Sequence, residues 1–200
     1  MTISSKYLSR LVVMVKEPRA GRVKTRLGRD IGMVPAAWWF RHSVHRLLRN
    51  VTDPRWDLLL AVSPDAEGLR SRVWPAHLQR IPQGRGDLGQ RMARLLALPQ
   101  KGPVVVIGGD IPEVRRHHIA DAFAKLGRSR AVFGPATDGG YWLVGLKRTT
   151  PPPRELFKGV CWSTEHALAD TLATMPGYDP AFVATLQDVD TTNDLPKIAP

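Results

Sequence analysis

The chain of 200 residues contains one cysteine, Cys161. An internal disulfide is therefore excluded, and the thiol count suits a reducing compartment. Long apolar runs are also missing. None approaches the roughly 20 residues that a membrane helix needs. The first such run, residues 11–15, follows a polar N-terminus and is too short for a signal-peptide core. A soluble cytoplasmic protein without a membrane span is the expectation. There is no internal repeat and no low-complexity segment. The linker-like stretch at 149–153, Thr-Thr-Pro-Pro-Pro, reads as a stiff surface connection and not as a domain boundary. One domain over residues 1–200 is expected, long enough for a substantial core. Acidic residues are few, 18 against 29 Lys and Arg, for a formal net charge of +11. That excess favours anionic partners. Basic residues are spread over every segment with no long basic block, which fits a solvated surface. The exception is the cluster Arg19, Arg22, Lys24 and Arg26.

The hydrophobic pattern alternates between strand and helix. Strands are expected at 11–15, 57–62, 77–81, 104–107, 130–133, 141–146 and 183–186. Helices are expected at 35–50, 65–73, 88–98, 113–126 and 163–175, with a final helical turn beginning at 191–194. In the expected 35–50 helix the apolar positions are Trp38, Val44, Leu47 and Leu48. Gly127 closes the 113–126 helix, and Ser163 is the expected N-cap of the 163–175 helix with Glu165 in its first turn. Residues 16–32 read as a long basic loop. Strands joined by helices imply crossover connections and a mostly parallel sheet. The strands at 130–133 and 141–146 are separated only by a short Gly-rich loop, so the sheet is expected to be mixed. The fold class is α/β, Rossmann-like, with helices flanking the sheet.

Four segments carry candidate chemistry. The apolar run Val104-Val105-Val106-Ile107 ends in Gly108-Gly109-Asp110-Ile111-Pro112. It delivers one carboxylate to the C-terminal end of a buried strand, where open α/β sheets bind ligands. The two glycines leave room for something bulky to approach. A carboxylate so placed suits a divalent cation carrying phosphates; it also suits a turn or cap. The loop after the first strand, Lys16-Glu17-Pro18-Arg19-Ala20-Gly21-Arg22-Val23-Lys24-Thr25-Arg26-Leu27, stands where α/β folds cradle phosphates. It is neither a P-loop nor a G-x-G-x-x-G fingerprint. Arg22, Lys24 and Arg26 alternate and would face one side of an extended loop.

The third segment runs from Gln83 through Gly84-Arg85-Gly86-Asp87 to Met92. Its glycines permit tight turns beside a flat ligand, Gln83 can read a base edge, and Asp87 can cap the helix that follows. Further on, Asp138-Gly139-Gly140 precedes the aromatic pair Tyr141-Trp142. Asp138 is either an Asp-Gly turn residue or a general base on an acceptor hydroxyl. The last segment is Asp188-Val189-Asp190-Thr191, whose two carboxylates share one face at the end of the last expected strand. They can cap a helix or join Asp110 around Mg²⁺ or Mn²⁺. His42, His45, His117 and His118 lack metal-ligand spacing and read as surface or core histidines. Cys161, without a suggested His partner, reads as a buried thiol and not a nucleophile.

Taken together and in this order, these segments resemble the nucleotide-diphospho-sugar transferase superfamily with the GT-A fold. The nearer resemblance is to a small bacterial glycosyltransferase-like family, some members of which are linked to arsenosugar biosynthesis. It covers nearly the whole chain and also rests on Phe157-Lys158-Gly159-Val160-Cys161-Trp162-Ser163-Thr164. The resemblance implies that Lys16, Arg22, Lys24 and Arg26 hold a diphosphate, and that Gln83, Gly86 and Asp87 lie near the base or ribose. Asp110 resembles the metal-binding carboxylate after the central strand, Asp190 a second acidic ligand with Asp188 beside it, and Asp138 the acidic residue on the acceptor side. The implied cofactor is Mg²⁺ or Mn²⁺. Relatives often carry Asp-x-Asp at the metal site; here the position two before Asp110 is Gly108.

The expected reaction is transfer of a sugar from a nucleotide-diphosphate sugar to a small-molecule acceptor. The nucleotide leaving group is stabilised by the cation with Arg22 and Lys24, and Asp138 takes the acceptor proton. The run Lys24-Thr25-Arg26-Leu27 also resembles the loop of the phospholactate guanylyltransferases, so nucleotidyl transfer with release of pyrophosphate is the alternative. A basic nucleic-acid-binding protein is the reading from another class. Net charge is its only support, since no helix-turn-helix, zinc site or aromatic-interleaved basic patch is present.

Overall fold

In a computed structural model, residues 9–99, 101–187, 189, 191 and 194 are described. The chain runs β1 (Ser9–Lys16), α1 (Thr25–Ile31), α2 (Met33–Val51), β2 (Trp56–Ser63), α3 (Asp65–Arg70), β3 (Gln79–Pro82), α4 (Leu88–Leu96), β4 (Val104–Gly108), α5 (Arg116–Leu126), β5 (Ala131–Pro135), β6 (Tyr141–Leu146), α6 (Ala167–Ala173) and β7 (Ala181–Phe182). The strands form one sheet in the order β3-β2-β1-β4-β6-β5-β7. β6 runs antiparallel to both its neighbours, β4 and β5, and the remaining pairs are parallel. The short loop between β5 and β6 cannot make a crossover, so it makes a hairpin. The result is the mixed, mostly parallel α/β sheet that the alternation implied.

Burial on both faces explains the continuous apolar runs of the central strands. Leu11, Val13 and Val15 of β1 join Val105 and Ile107 of β4 in one core layer, which packs under α2 and α5. The intervening Val12, Val104 and Val106 point the other way, into a layer with Met92, Leu95 and Leu96 of α4. Fully burying each such side chain contributes about 1.5–3 kcal/mol. α2 fits through Ala37, Phe40, Val44, Leu47, Leu48 and Val51. Trp38 does not belong to that stripe. It falls on the outer face at 57% exposure, against Arg41 and His42.

Several expectations need correction. Residues 25–31, expected as loop, form α1, in which Leu27 and Gly28 are buried and Gly28 lies against Met33 of α2. The last helix begins at Ala167 with His166 at the N-cap. Ser163 lies outside it at a positive φ of 62°, because 161–166 is tied into a turn by the Thr164 hydroxyl donating to Cys161 O. Cys161 is exposed on that turn and not buried. No strand forms at 183–186 as expected: the last strand lies earlier, at Ala181–Phe182, and only an isolated bridge from Leu186 to Ala136 falls in that range. Gly127 does follow α5 as its C-cap, in a right-handed conformation.

The chain passes from β1 outward to β2 and β3, then returns to place β4 on the other side of β1. The direction of winding reverses between β1 and β4. In an open α/β sheet that reversal leaves a crevice at the C-terminal strand ends. Lys16 ends β1 there, and Gly108 ends β4 beside it.

Two stability effects follow. A Cβ on Gly145 of β6 would stand 2.8 Å from Val132 Cγ1 and 2.9 Å from Val105 Cγ2 on the flanking strands. Gly145→Val is expected to lower the unfolding free energy by about 1–3 kcal/mol, read as a lower urea midpoint at unchanged slope. Burial holds His45 and His118 below the ordinary histidine value, aided by nearby basic groups. The folded state thus binds these protons more weakly than the unfolded chain. Their contribution is present above the ordinary histidine value of 6.5 and is lost as pH falls through the lower folded values. Urea titrations below that pH are expected to show a steeper loss in the wild type than in a His45→Gln/His118→Gln double variant.

Candidate active site

The crevice between β1 and β4 is a cleft of about 690 Å³. Every basic residue proposed from the sequence for a nucleotide lines it: Lys16, Arg22, Lys24 and Arg26. So do Gln83, Gly86, Asp87 and Asp110. The basic residues reach it by a route that alternation did not anticipate. Lys24 has φ 46° and ψ 48°, and Thr25 starts α1, so the loop is not extended. It is pinned instead to α3: Arg19 lies 3.1 Å and Arg22 3.6 Å from the Glu67 carboxylate. Val23, 4% exposed, anchors it to the core.

The Lys24 ammonium donates to Asp110 Oδ2 at 2.8 Å. The Lys24 side chain is 5% exposed and that of Asp110 34%. Two motifs 86 residues apart, read separately as a phosphate ligand and a cation ligand, are thus one ion pair. Gly108 and Gly109 also play a different part from that expected. A Cβ on Gly109 would stand 3.0 Å from Met14 O and 3.1 Å from Val15 Cγ1, so the space it leaves is taken by β1. A Cβ on Gly108 would stand 3.0 Å from Asp110 Oδ1.

Gln83 is buried, and its amide nitrogen donates to Val15 O at 3.1 Å and Ala61 O at 2.8 Å. Both amide hydrogens hold β1 and β2 together, so toward a base Gln83 retains only its carbonyl oxygen. Asp87 is the N-cap of α4, accepting from Gln90 N at 2.8 Å in a capping box. The positive φ of Gly86, 103°, lets the Gln90 side chain close that box. Arg91, not singled out from the sequence, also lines the cleft. Its guanidinium is braced by Gly86 O at 3.0 Å and Ser63 Oγ at 3.4 Å. Its signal was the position itself, one turn into a helix that opens on a glycine loop.

A smaller pocket of about 210 Å³ adjoins the cleft and shares Asp110 with it. Asp138, Tyr141, Trp162, Ser163 and Thr164 complete its polar and aromatic wall. Asp138 Oδ1 accepts from Gly140 N at 2.9 Å, an Asp-Gly turn that still leaves the side chain exposed. Burial pushes the Tyr141 hydroxyl well above the ordinary tyrosine range, so it stays neutral; Thr171 Oγ1 donates to it at 3.2 Å. The described residues lining this pocket include no Lys, Arg or His.

Asp188 and Asp190 lie outside the described residues. Val189 between them is buried, and its N–H donates to Asp110 O at 3.4 Å. Among the described residues no group of three or more His, Cys, Asp or Glu could hold a metal. The described donor set fits a divalent cation of the Mg²⁺ kind nevertheless, since that ion is bound by one or two carboxylates plus substrate phosphates. The ammonium on Asp110 marks the place where this carboxylate draws a cation.

No helix of the described residues is long and apolar enough to cross a membrane. A comparison with curated protein sequences finds no match. Among solved structures, the chain is similar to a candidate nucleotide-diphospho-sugar transferase from Desulfovibrio desulfuricans G20. The two are 28% identical, with a TM-score of 0.77 over 92% of this chain and 82% of that one. Two more distant structures share the fold. One is a CMP:2-keto-3-deoxy-manno-octonic acid synthetase complexed with CTP, 10% identical with a TM-score of 0.58 over 92% and 93% of the chains. The other is glucosyl-3-phosphoglycerate synthase from Mycobacterium tuberculosis in complex with Mn²⁺, UDP and glucosyl-3-phosphoglycerate, 11% identical with a TM-score of 0.56 over 92% and 71%. The architecture is therefore that of the GT-A-like nucleotide-sugar transferases. Residues 47–164, more than half of the chain, match the model of a family described as an uncharacterized protein conserved in bacteria, DUF2064, and the chain belongs to that family.

Proposed function

We propose that the protein is a transferase that binds a nucleotide-diphosphate sugar in the β1–β4 cleft and transfers the sugar to the hydroxyl of a small acceptor. The observation that carries this reading is the division of charge between the two adjoining cavities. Five cationic side chains, Lys16, Arg22, Lys24, Arg26 and Arg91, line the large cleft. The small pocket sharing Asp110 offers carboxylates, hydroxyls and aromatic faces instead. A diphosphate suits the first, and a hydroxylated acceptor suits the second.

In this reading the guanidinium groups of Arg22 and Arg26 grip phosphate oxygens, while Lys16 and Lys24 act as point charges. Gly86 and Asp87 lie beside the ribose or base, and Gln83 faces it through its carbonyl oxygen. Asp110, with Asp188 and Asp190 as further oxygen ligands, would hold Mg²⁺ or Mn²⁺, which supplies charge neutralisation of the diphosphate leaving group when bound. Asp138 accepts the proton of the acceptor hydroxyl as it attacks the anomeric carbon. Lys24 also stabilises the charge that develops on the departing phosphate.

Nucleotidyl transfer is the second reading. It is supported by the likeness to a CTP-bound synthetase and by the Lys24-Thr25-Arg26-Leu27 run. In that case an acceptor oxygen attacks the α-phosphorus of a nucleoside triphosphate and pyrophosphate leaves.

A product assay separates the two: free nucleoside diphosphate is expected from nucleotide sugars, whereas pyrophosphate from nucleoside triphosphates would assign nucleotidyl transfer. Asp138→Asn is expected to lower turnover by about 10²–10⁴-fold with nucleotide binding retained. Asp110→Asn is expected to abolish metal-dependent nucleotide binding in calorimetric titration, and unchanged metal dependence in that variant would refute the cation site.

A further inference from the structure

Lys24 breaks three local rules at once. Its backbone is left-handed, with φ 46°, a region that side-chain-bearing residues seldom adopt. It stands at the N-cap of α1 without making a side-chain cap, where Ser, Thr, Asp and Asn are preferred and the helix dipole opposes a cation. Its side chain is 5% exposed, although burying an ammonium is costly unless it is paired. Local rules tend to fail together at functional sites. These departures accompany one contact, the 2.8 Å bond to Asp110. Both sides of that contact are held from behind. Val23 and the Glu67 ion pairs fix the loop, and the close approach of Gly109 to β1 fixes the carboxylate.

Resting on the reading that the cleft takes a nucleoside diphosphate, we propose that Lys24 is the resting counter-ion of Asp110, and that the diphosphate admits the divalent cation by drawing this ammonium away. An ammonium at hydrogen-bond distance and a divalent ion coordinated to the same carboxylate would repel strongly in a partly desolvated site. The diphosphate removes the conflict, because its oxygens accept the ammonium, whose four-carbon stem can swing while Asp110 stays in place. Asp110 is then free to ligate the cation that the same diphosphate carries. Cation binding is thereby made conditional on nucleotide, and the coupling must be reciprocal: the cation raises nucleotide affinity by the same factor.

The test is Mn²⁺ binding to the full chain, followed by electron paramagnetic resonance of free Mn²⁺ and by calorimetry, first without nucleotide and then with UDP, GDP, CDP or ADP. Without nucleotide, Lys24→Met and Lys24→Gln are expected to bind Mn²⁺ about tenfold or more tighter than wild type, within the usual range of coupling. Arg41→Gln removes a cation on the outer face of α2, over the exposed Trp38 ring and away from the cleft lining; it is expected to stay within about twofold of wild type, as a change without coupling should. The gain is expected to vanish in Lys24→Met/Asp110→Asn. Wild type is expected to gain Mn²⁺ affinity when a nucleoside diphosphate is added. The proposal is overturned if both Lys24 variants match wild type, if Arg41→Gln reproduces the gain, or if the gain survives loss of the Asp110 carboxylate. If none of the four nucleotides binds wild type, the nucleotide reading and the release step fall together, while the nucleotide-free titrations still decide whether Lys24 holds Asp110 at rest.

Discussion

At the C-terminal end of β4 the main chain lies so near β1 that a Cβ on Gly109 would stand 3.0 Å from the carbonyl oxygen of Met14. The rest of the cleft depends on this approach. It brings Asp110 to the strand end at the height where β1 gives way to the basic loop. It also sets the floor against which Lys24 is buried. A side chain at 109 would press on the Met14 carbonyl and the Val15 side chain of β1, next to the 2.8 Å contact between Lys24 and Asp110. The sheet's winding reversal supplies the crevice, and the glycine determines how tightly its walls meet.

The second constraint is electrostatic. A formal charge of +11 is large for 200 residues, yet the two cavities divide it unequally. The large cleft gathers Lys16, Arg22, Lys24, Arg26 and Arg91, whereas the adjoining pocket is walled by Asp110, Asp138, two hydroxyl residues and aromatic rings. Asp110 belongs to both, so it stands at the boundary between a cation-lined and an acid-lined space. Glu67 on α3 has a structural part in this division. It holds Arg19 and Arg22 from outside the cleft and so keeps the loop in place under its own repulsion.

Much of the architecture was legible because its cause is local. The unbroken apolar runs at Val12 and Val104 to Ile107 can only be buried on both faces, and the short Gly-rich link before Tyr141 can only turn back on itself. The stretch 25–31 was not legible as a helix. It lacks a capping side chain at its N-terminus, and its helical turn is secured by burial of Leu27 and the close approach of Gly28 to Met33 of α2. Trp38 misled for a related reason. It satisfies the apolar pattern by type, but α2 meets the sheet through Phe40, Val44 and Leu47, one face further round. Cys161 was expected inside for its chemistry and lies outside because its segment is a succession of surface turns.

Arg91 apart, the charged residues of the cleft were nameable from the sequence alone, since strand ends, glycine loops and basic clusters announce themselves by spacing. What each of them touches was not. That Gln83 uses both amide hydrogens on the carbonyls of Val15 and Ala61, and that Lys24 reaches Asp110, are contacts across 22 to 86 residues of chain. Sequence determines such chemistry one segment at a time, through side-chain type and local periodicity. The pairing of an ammonium with one particular carboxylate depends on how closely two strands pack, and that distance exists only once the sheet has formed.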